Sequence, residues 1–232
     1  MFNDRELLLF DLDGTLIDSV PDLAKALNAT LEELDLRTYD EATIRTWIGN
    51  GAAMLLKRGL LGKREIDREP ERELFDRAQA LFLERYAAVL NDATGLYPEV
   101  GETLRILRER GYRMAIVTNK PSQFVAPILE NLGIDAFFER VVGGEDLPRK
   151  KPDPLPLLHC CEASGCRPER AVMIGDSSND ILAAQAAGIP VIAVAYGYDA
   201  GRSVRELGAD AVVERFGEIL RFFGGDEGER DR

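Results

Sequence analysis

Leu7-Leu8-Leu9-Phe10-Asp11-Leu12-Asp13-Gly14-Thr15 is the stretch that decides how this chain folds. Four apolar residues are too few for a helix, and they run straight into two carboxylates and a glycine. A short, wholly apolar run of this kind reads as a strand buried on both faces, the pattern of a parallel sheet with helices on either side. Similar runs recur at Met114–Val117, Ala171–Ile174 and Val191–Ala195, more weakly at Ala211–Val213, and as a possible short strand at 140–143. Helical stripes separate the later runs. Val100, Leu104 and Leu107 precede Gly111, and Ile181, Leu182, Gln185 and Ala186 precede Gly188, so each stripe ends where a glycine can close a helix.

The interval after Asp11 is different. About a hundred residues pass before the next strand-like run, whereas a parallel crossover needs only about a dozen. The residues between are helical in pattern over 20–36, 41–61 and 71–90, and Ser19, Pro21 and Asp22 form a Ser-x-x-Asp helix start. The predicted fold is therefore α/β. Residues 1–15 and 95–224 form a doubly wound, Rossmann-like parallel sheet, and residues 16–94 form an inserted, all-helical cap. The charged tail 225–232 is predicted to be disordered.

Composition narrows the function. The 232 residues carry 41 acidic and 29 basic side chains, a net charge of −12, with no basic stripe beyond Arg149-Lys150-Lys151. That balance argues against nucleic acid as a partner. An anionic substrate would need local positive charge to offset the overall field. No run approaches the roughly 20 apolar residues of a membrane span, and no basic, then apolar, leader opens the chain. The expectation is a cytoplasmic protein, monomer or homodimer, with no membrane partner. Cys160, Cys161 and Cys166 cluster in one helical stretch and read as reduced thiols. The one histidine, His159, lies among them, which disfavours histidine-based phosphoryl transfer.

The polar residues after the strands carry the chemistry. Asp11 and Asp13 follow the first run, Thr118-Asn119-Lys120 the second, and Gly175-Asp176-Ser177-Ser178-Asn179-Asp180 the third. Ligands of open parallel sheets bind at the strands' carboxyl ends, so these clusters are expected to converge. Asp11, Asp13 and Asp176 close together would repel by roughly 4 kcal/mol per pair at 4 Å and an effective dielectric near 20. A divalent cation, Mg²⁺ by the oxygen-rich donor set, would remove that penalty. Lys151, with Lys150 as its rival, and Thr118 could then hold a phosphate dianion. No Gly-x-x-x-x-Gly-Lys loop or Gly-x-Ser-x-Gly elbow is present. A carboxylate nucleophile remains: Asp11 attacks phosphorus, and Asp13 serves as general acid and base. In the insertion, Asn50 between Gly49 and Gly51 reads as a tight loop able to reach over the crevice. Arg58 is a candidate for a substrate carboxylate and equally for a surface role, and Trp47 reads as core.

These motifs resemble, in order, the four motifs of the haloacid dehalogenase-like phosphatases: 11–19, Thr118-Asn119, Lys151-Pro152, and Gly175-Asp176-Ser177-x-x-Asp180. The resemblance spans nearly the whole chain. It implies Asp11 as nucleophile and Asp13 as acid and base. The metal ligands it implies are Asp11, the Asp13 carbonyl and Asp176, with Asp180 behind them or as a weak ligand. Thr118, Asn119 and Lys151 are implied as holders of the phosphoryl group. The stretches 46–51, 117–121 and 196–198 are most similar to those of bacterial phosphoglycolate phosphatases, which implies 2-phosphoglycolate as substrate. Two rivals stand beside this expectation. One is a sugar phosphomutase, or a phosphatase of another small phosphometabolite, on the same fold. The other is a non-enzymatic phospho-receiver or binding module.

Overall fold

A computed structural model describes Phe2, residues 4–198 and residues 204–224. The predicted tail at 225–232 lies outside the described residues. Six parallel strands form one sheet: β1 (Leu7–Phe10), β4 (Arg113–Val117), β5 (Arg140–Val142), β6 (Ala171–Gly175), β7 (Val191–Val194) and β8 (Ala211–Val213). Their spatial order is β5-β4-β1-β6-β7-β8. Counted within the sheet alone, that is 3-2-1-4-5-6, the doubly wound order whose ligand crevice opens where the winding reverses, between β1 and β6.

The pleat explains why four-residue runs suffice. Leu8, Phe10, Met114, Ile116, Val172 and Ile174 enter the core on one face, while Leu7, Leu9, Ala115, Val117, Ala171 and Met173 enter a second core on the other. Every one of them is buried, so each strand is apolar throughout rather than alternating. Helices α5 (Val100–Glu109), α6 (Ser122–Asn131), α7 (Leu155–Ala163) and α8 (Ser178–Ala187) cover the two faces. In register, Phe10 lies beside both Ile116 and Ile174. Asp11 therefore lies level with Val117 and Gly175, the last residues of β4 and β6, and Thr118 and Asp176 follow beside it.

The helical insertion enters through β2 (Ile17–Asp18) and returns through β3 (Gly95–Leu96), which pair antiparallel. Between them lie α1 (Val20–Glu33), α2 (Glu41–Arg45), α3 (Ala52–Leu61) and α4 (Arg72–Val89). The single helical pattern expected over 41–61 is in fact broken. Gly49 and Gly51 take φ of 112° and 85°, which no helix interior accommodates, so 47–51 form a loop. Trp47 is buried there, edge-on to Tyr39 with ring centroids 4.8 Å apart.

The helix start at Ser19, Pro21 and Asp22 stands where expected, without the side-chain cap that its spacing suggests. Ser19 does precede α1, but its side chain makes no cap. Its hydroxyl donates instead to Asp13 Oδ1, and Asp22 accepts from the Ala93 and Thr94 amides and the Thr94 hydroxyl. Ser19 thus ties the start of the insertion to the sheet edge, and Asp22 ties that start to the insertion's end. Among the described residues, no helix is long and apolar enough to cross a membrane.

Candidate active site

Three carboxylates and one ammonium meet at the reversal point. Asp11 ends β1, Asp176 ends β6, and Asp180 sits in the first turn of α8. One carboxylate oxygen from each lies within 4.8 Å of the others, and all three residues are buried. Lys151 reaches them from the loop after β5. Its Nζ is 3.0 Å from Asp11 Oδ1 and donates to Asp180 Oδ1 and to the Val117 carbonyl, both at 2.6 Å. Asp180 Oδ2 accepts from the Asp176 amide and from the Ser177 amide and hydroxyl. Asp176 accepts from the Thr15 hydroxyl at 3.0 Å and the Tyr198 amide at 2.6 Å. The turn at Gly14 wraps Asp176 so closely that a Cβ there would fall 2.4 Å from Asp176 Oδ2, and its φ of 88° is itself a glycine conformation.

The charge count leaves an excess of negative groups. Burial, reinforced by the Asp180 charge and opposed by Lys151, pushes the Asp11 carboxyl up to about 7. Burial and then the Asp180 and Asp11 charges raise Asp176 well above the ordinary carboxylate range. Burial works against the Lys151 charge, but Asp11 and Asp180 outweigh it and hold the ammonium above its usual value.

A hard divalent cation fits this set. The donors are all oxygens, and Asp11 Oδ1 is buried with only a charge contact to Lys151 and no aligned hydrogen bond. Both Asp180 oxygens are already engaged, so Asp180 supports the ligand set from behind.

A pH dependence follows. The Asp11 carboxyl titrates at 3.8 in a free chain and at about 7 in the fold. The fold therefore resists its ionisation over that window. The penalty is absent below the lower value and complete above the higher. Because the cation takes the carboxylate form, Mg²⁺ affinity is expected to rise with pH until about 7 and to fall by up to about tenfold per unit below it. Titration calorimetry from pH 5.5 to 8.5, in two buffers so that proton release is counted, measures this. A flat affinity with no proton release would contradict the ligand set.

The structure places the other expected residues unevenly. Thr118 and Asn119 line a cavity of about 40 Å³ together with Asp11 and Asp13. The Asn119 amide nitrogen, however, donates to the Lys151 carbonyl at 2.9 Å, so it anchors the lysine loop. Of the two lysines, Lys151 is the one brought to Asp11 and Asp180. Lys150 Nζ instead donates to the Asn50 carbonyl at 3.2 Å. The 49–51 loop does reach the crevice, but by main chain: Gly49 and Gly51 line the cavity, and the Gly49 carbonyl accepts from the Asn179 side chain at 2.9 Å. The Asn50 side chain does not line it. Arg58 is turned away, donating to the Trp47 and Arg64 carbonyls and holding the loop in shape.

Six contacts at this site were not expected from the sequence. Lys120 Nζ lies 2.9 and 3.2 Å from the two Asp13 oxygens and 2.6 Å from the Tyr86 hydroxyl of α4. Ser19 holds Asp13 from the other side. The Tyr198 hydroxyl accepts from the Ser19 amide and donates to Asp18, while its amide donates to Asp176. The adjacency of Lys120 to Asn119 was the one available hint.

Two carboxylates two residues apart, a buried ammonium and an oxygen cluster at one sheet edge define a class as well as a shape. The profile of the family described as haloacid dehalogenase-like hydrolase matches residues 8–194, and this chain belongs to that family. Its relatives include the phosphoglycolate phosphatases of Psychrobacter arcticus, 46% identical over 94% of this chain and 96% of that one, and of Colwellia psychrerythraea, 46% identical with the same coverages. A crystal structure from Haemophilus somnus 129PT, described as a predicted phosphoglycolate phosphatase, superposes with a TM-score of 0.88. It is 38% identical over 94% of this chain and 98% of that one.

Proposed function

We propose that this protein hydrolyses 2-phosphoglycolate to glycolate and phosphate, with Mg²⁺, through a phosphoryl group carried transiently on Asp11. The observation that carries the reading is the position of Asp11. Its carboxylate opens onto the cavity, with Lys151 and Asp176 behind it and Asp13 beside it. An Asp11 oxygen attacks phosphorus and the bond to the leaving oxygen breaks, while Asp13 donates the proton that leaves as the alcohol. Asp13 then takes a proton from water, the water oxygen attacks phosphorus, and the bond to Asp11 breaks to release phosphate. Lys151 and Thr118 orient the phosphoryl oxygens. Asp11, Asp176 and the Asp13 carbonyl would hold Mg²⁺, with Asp180 behind them. When bound, the ion supplies positive charge against the phosphoryl oxygens.

Two features support a small substrate in a closing site. The cavity is small, about 40 Å³. Residues 16–94 are read as a cap over a core formed by 1–15 and 95–224. The cap loop meets that core through main-chain carbonyls, to Asn179 and Lys150, that can part without stranding a charge. Closure would exclude water during transfer, and opening would admit it afterwards. The setting read for this reaction is the cytoplasm, on a free metabolite.

Phosphate release from 2-phosphoglycolate, p-nitrophenyl phosphate and glucose 1-phosphate, compared as kcat/KM, tests the reading. 2-Phosphoglycolate is expected to lead by at least about tenfold. Isomerisation of the sugar phosphate without phosphate release would establish the mutase instead.

A further inference from the structure

The helical insertion contributes the apolar side chains of Leu23, Ile48 and Leu55 to the cavity wall. Among the described residues lining it, Lys120 is the only cation. Lys151 is not among the lining residues and is held by the Val117 carbonyl, Asp180 and Asp11. Lys150 is occupied with the Asn50 carbonyl, and Arg58 with the Trp47 and Arg64 carbonyls. The Lys120 side chain is 2% exposed. Its ammonium is paired with the Asp13 carboxylate at 2.9 Å. An ammonium has three N–H donors. Asp13 takes one, shared between its two oxygens, and Tyr86 takes another. The third is left for whatever enters the cavity.

Position decides what that is. Asp13 delivers its proton to the ester oxygen, and Lys120 sits directly on Asp13. A group one carbon from the ester oxygen therefore arrives beside the Lys120 ammonium. We propose that Lys120, anchored by the Tyr86 hydroxyl across the boundary between sheet and helices, is the specificity-determining residue, recognising a carboxylate one carbon from the ester oxygen. The substrate class is the O-phospho derivatives of short 2-hydroxy acids. This rests on the reading of the protein as a 2-phosphoglycolate hydrolase and assigns the selectivity to a named group, in place of the Arg58 expected from sequence. Tyr86 is fixed for the task. It is buried, its ring is edge-on to Phe124 at 4.9 Å, and it stacks on Phe82 at 5.9 Å.

The test compares two substrates that differ in charge and little in size, 2-phosphoglycolate and 2-hydroxyethyl phosphate, by kcat/KM. Lys120→Met removes the ammonium and keeps the stem. Both substrates are expected to suffer, because Asp13 loses a partner. The readout is the ratio between them, which is expected to fall by roughly a hundredfold, the usual scale for deleting one partner of a buried ion pair. Tyr86→Phe keeps the charge but frees it, and is expected to shift the ratio the same way by about tenfold or less. An unchanged ratio in Lys120→Met would confine Lys120 to positioning Asp13 and overturn the proposal. If Lys120→Met does not fold, an unchanged ratio in Tyr86→Phe overturns it. Failure of the underlying substrate reading would look different: the unmutated protein would itself show no preference for 2-phosphoglycolate.

Discussion

Asp11→Asn is expected to lower phosphate release from any phosphomonoester by roughly 10⁴-fold or more, the scale on which removing a nucleophile acts. The amide keeps the shape of the carboxylate and cannot form the acyl phosphate. The same variant should not be destabilised in the absence of metal. Burial raises the Asp11 carboxyl from 3.8 to about 7, so the native fold disfavours the charge that the wild type must carry at high pH. At pH 8 the Asn variant is therefore expected to melt at or above the metal-free wild type, and the two should converge near pH 4. Lys151 keeps Asp180 as its partner in the variant. Residual turnover within about a hundredfold of wild type would remove Asp11 from the nucleophile's role. A large loss of melting temperature at pH 8 would mean that its charge supports the fold.

Asp180→Ala is the reverse case, a carboxylate whose removal damages structure first. Asp180 is fully buried and accepts from Lys151, the Asp176 amide, and the Ser177 amide and hydroxyl. Its loss uncaps α8 and leaves the Lys151 ammonium, also buried, without its closer carboxylate. Breaking a buried ion pair from one side costs about 3–5 kcal/mol. The midpoint of urea unfolding should fall accordingly with an unchanged slope, and activity should fall with it because Lys151 and Asp176 lose their positions. A midpoint equal to that of wild type would show that the Lys151 charge finds its compensation elsewhere.

Both predictions draw on parts of the molecule that were legible in the residues. β1 and β6 were readable because both of their faces are buried, which leaves no polar residue to interrupt Leu7–Phe10 or Ala171–Gly175. The convergence of Asp11, Thr118 and Asp176 followed from their standing at strand ends. What stayed hidden depends on partners distant in the chain. Ser19 and Asp22 have the spacing of a local helix cap, yet their bonds go to Asp13 and to Ala93 and Thr94. Lys120 lay inside a quoted motif, but its meaning comes from Asp13, 107 positions away, and Tyr86, 34 away. Arg58 had the right charge on the right helix, and the wrong neighbours. The break at 47–51 was legible in Gly49 and Gly51, which mark a tight loop, although the apolar spacing over 41–61 runs across it.

The pairing of Ile17 with Leu96 and Asp18 with Gly95 has a consequence for how such a chain can change over evolutionary time. Outgoing and returning backbones leave the sheet side by side, so from the sheet's standpoint everything between them is the tip of a hairpin. Doubling the length of a flexible tip adds only about 0.6 kcal/mol of closure entropy. The inserted helices, which bring Tyr86 and the apolar side of the cavity, can therefore lengthen, shrink or be exchanged while the strands holding Asp11 and Asp176 keep their register.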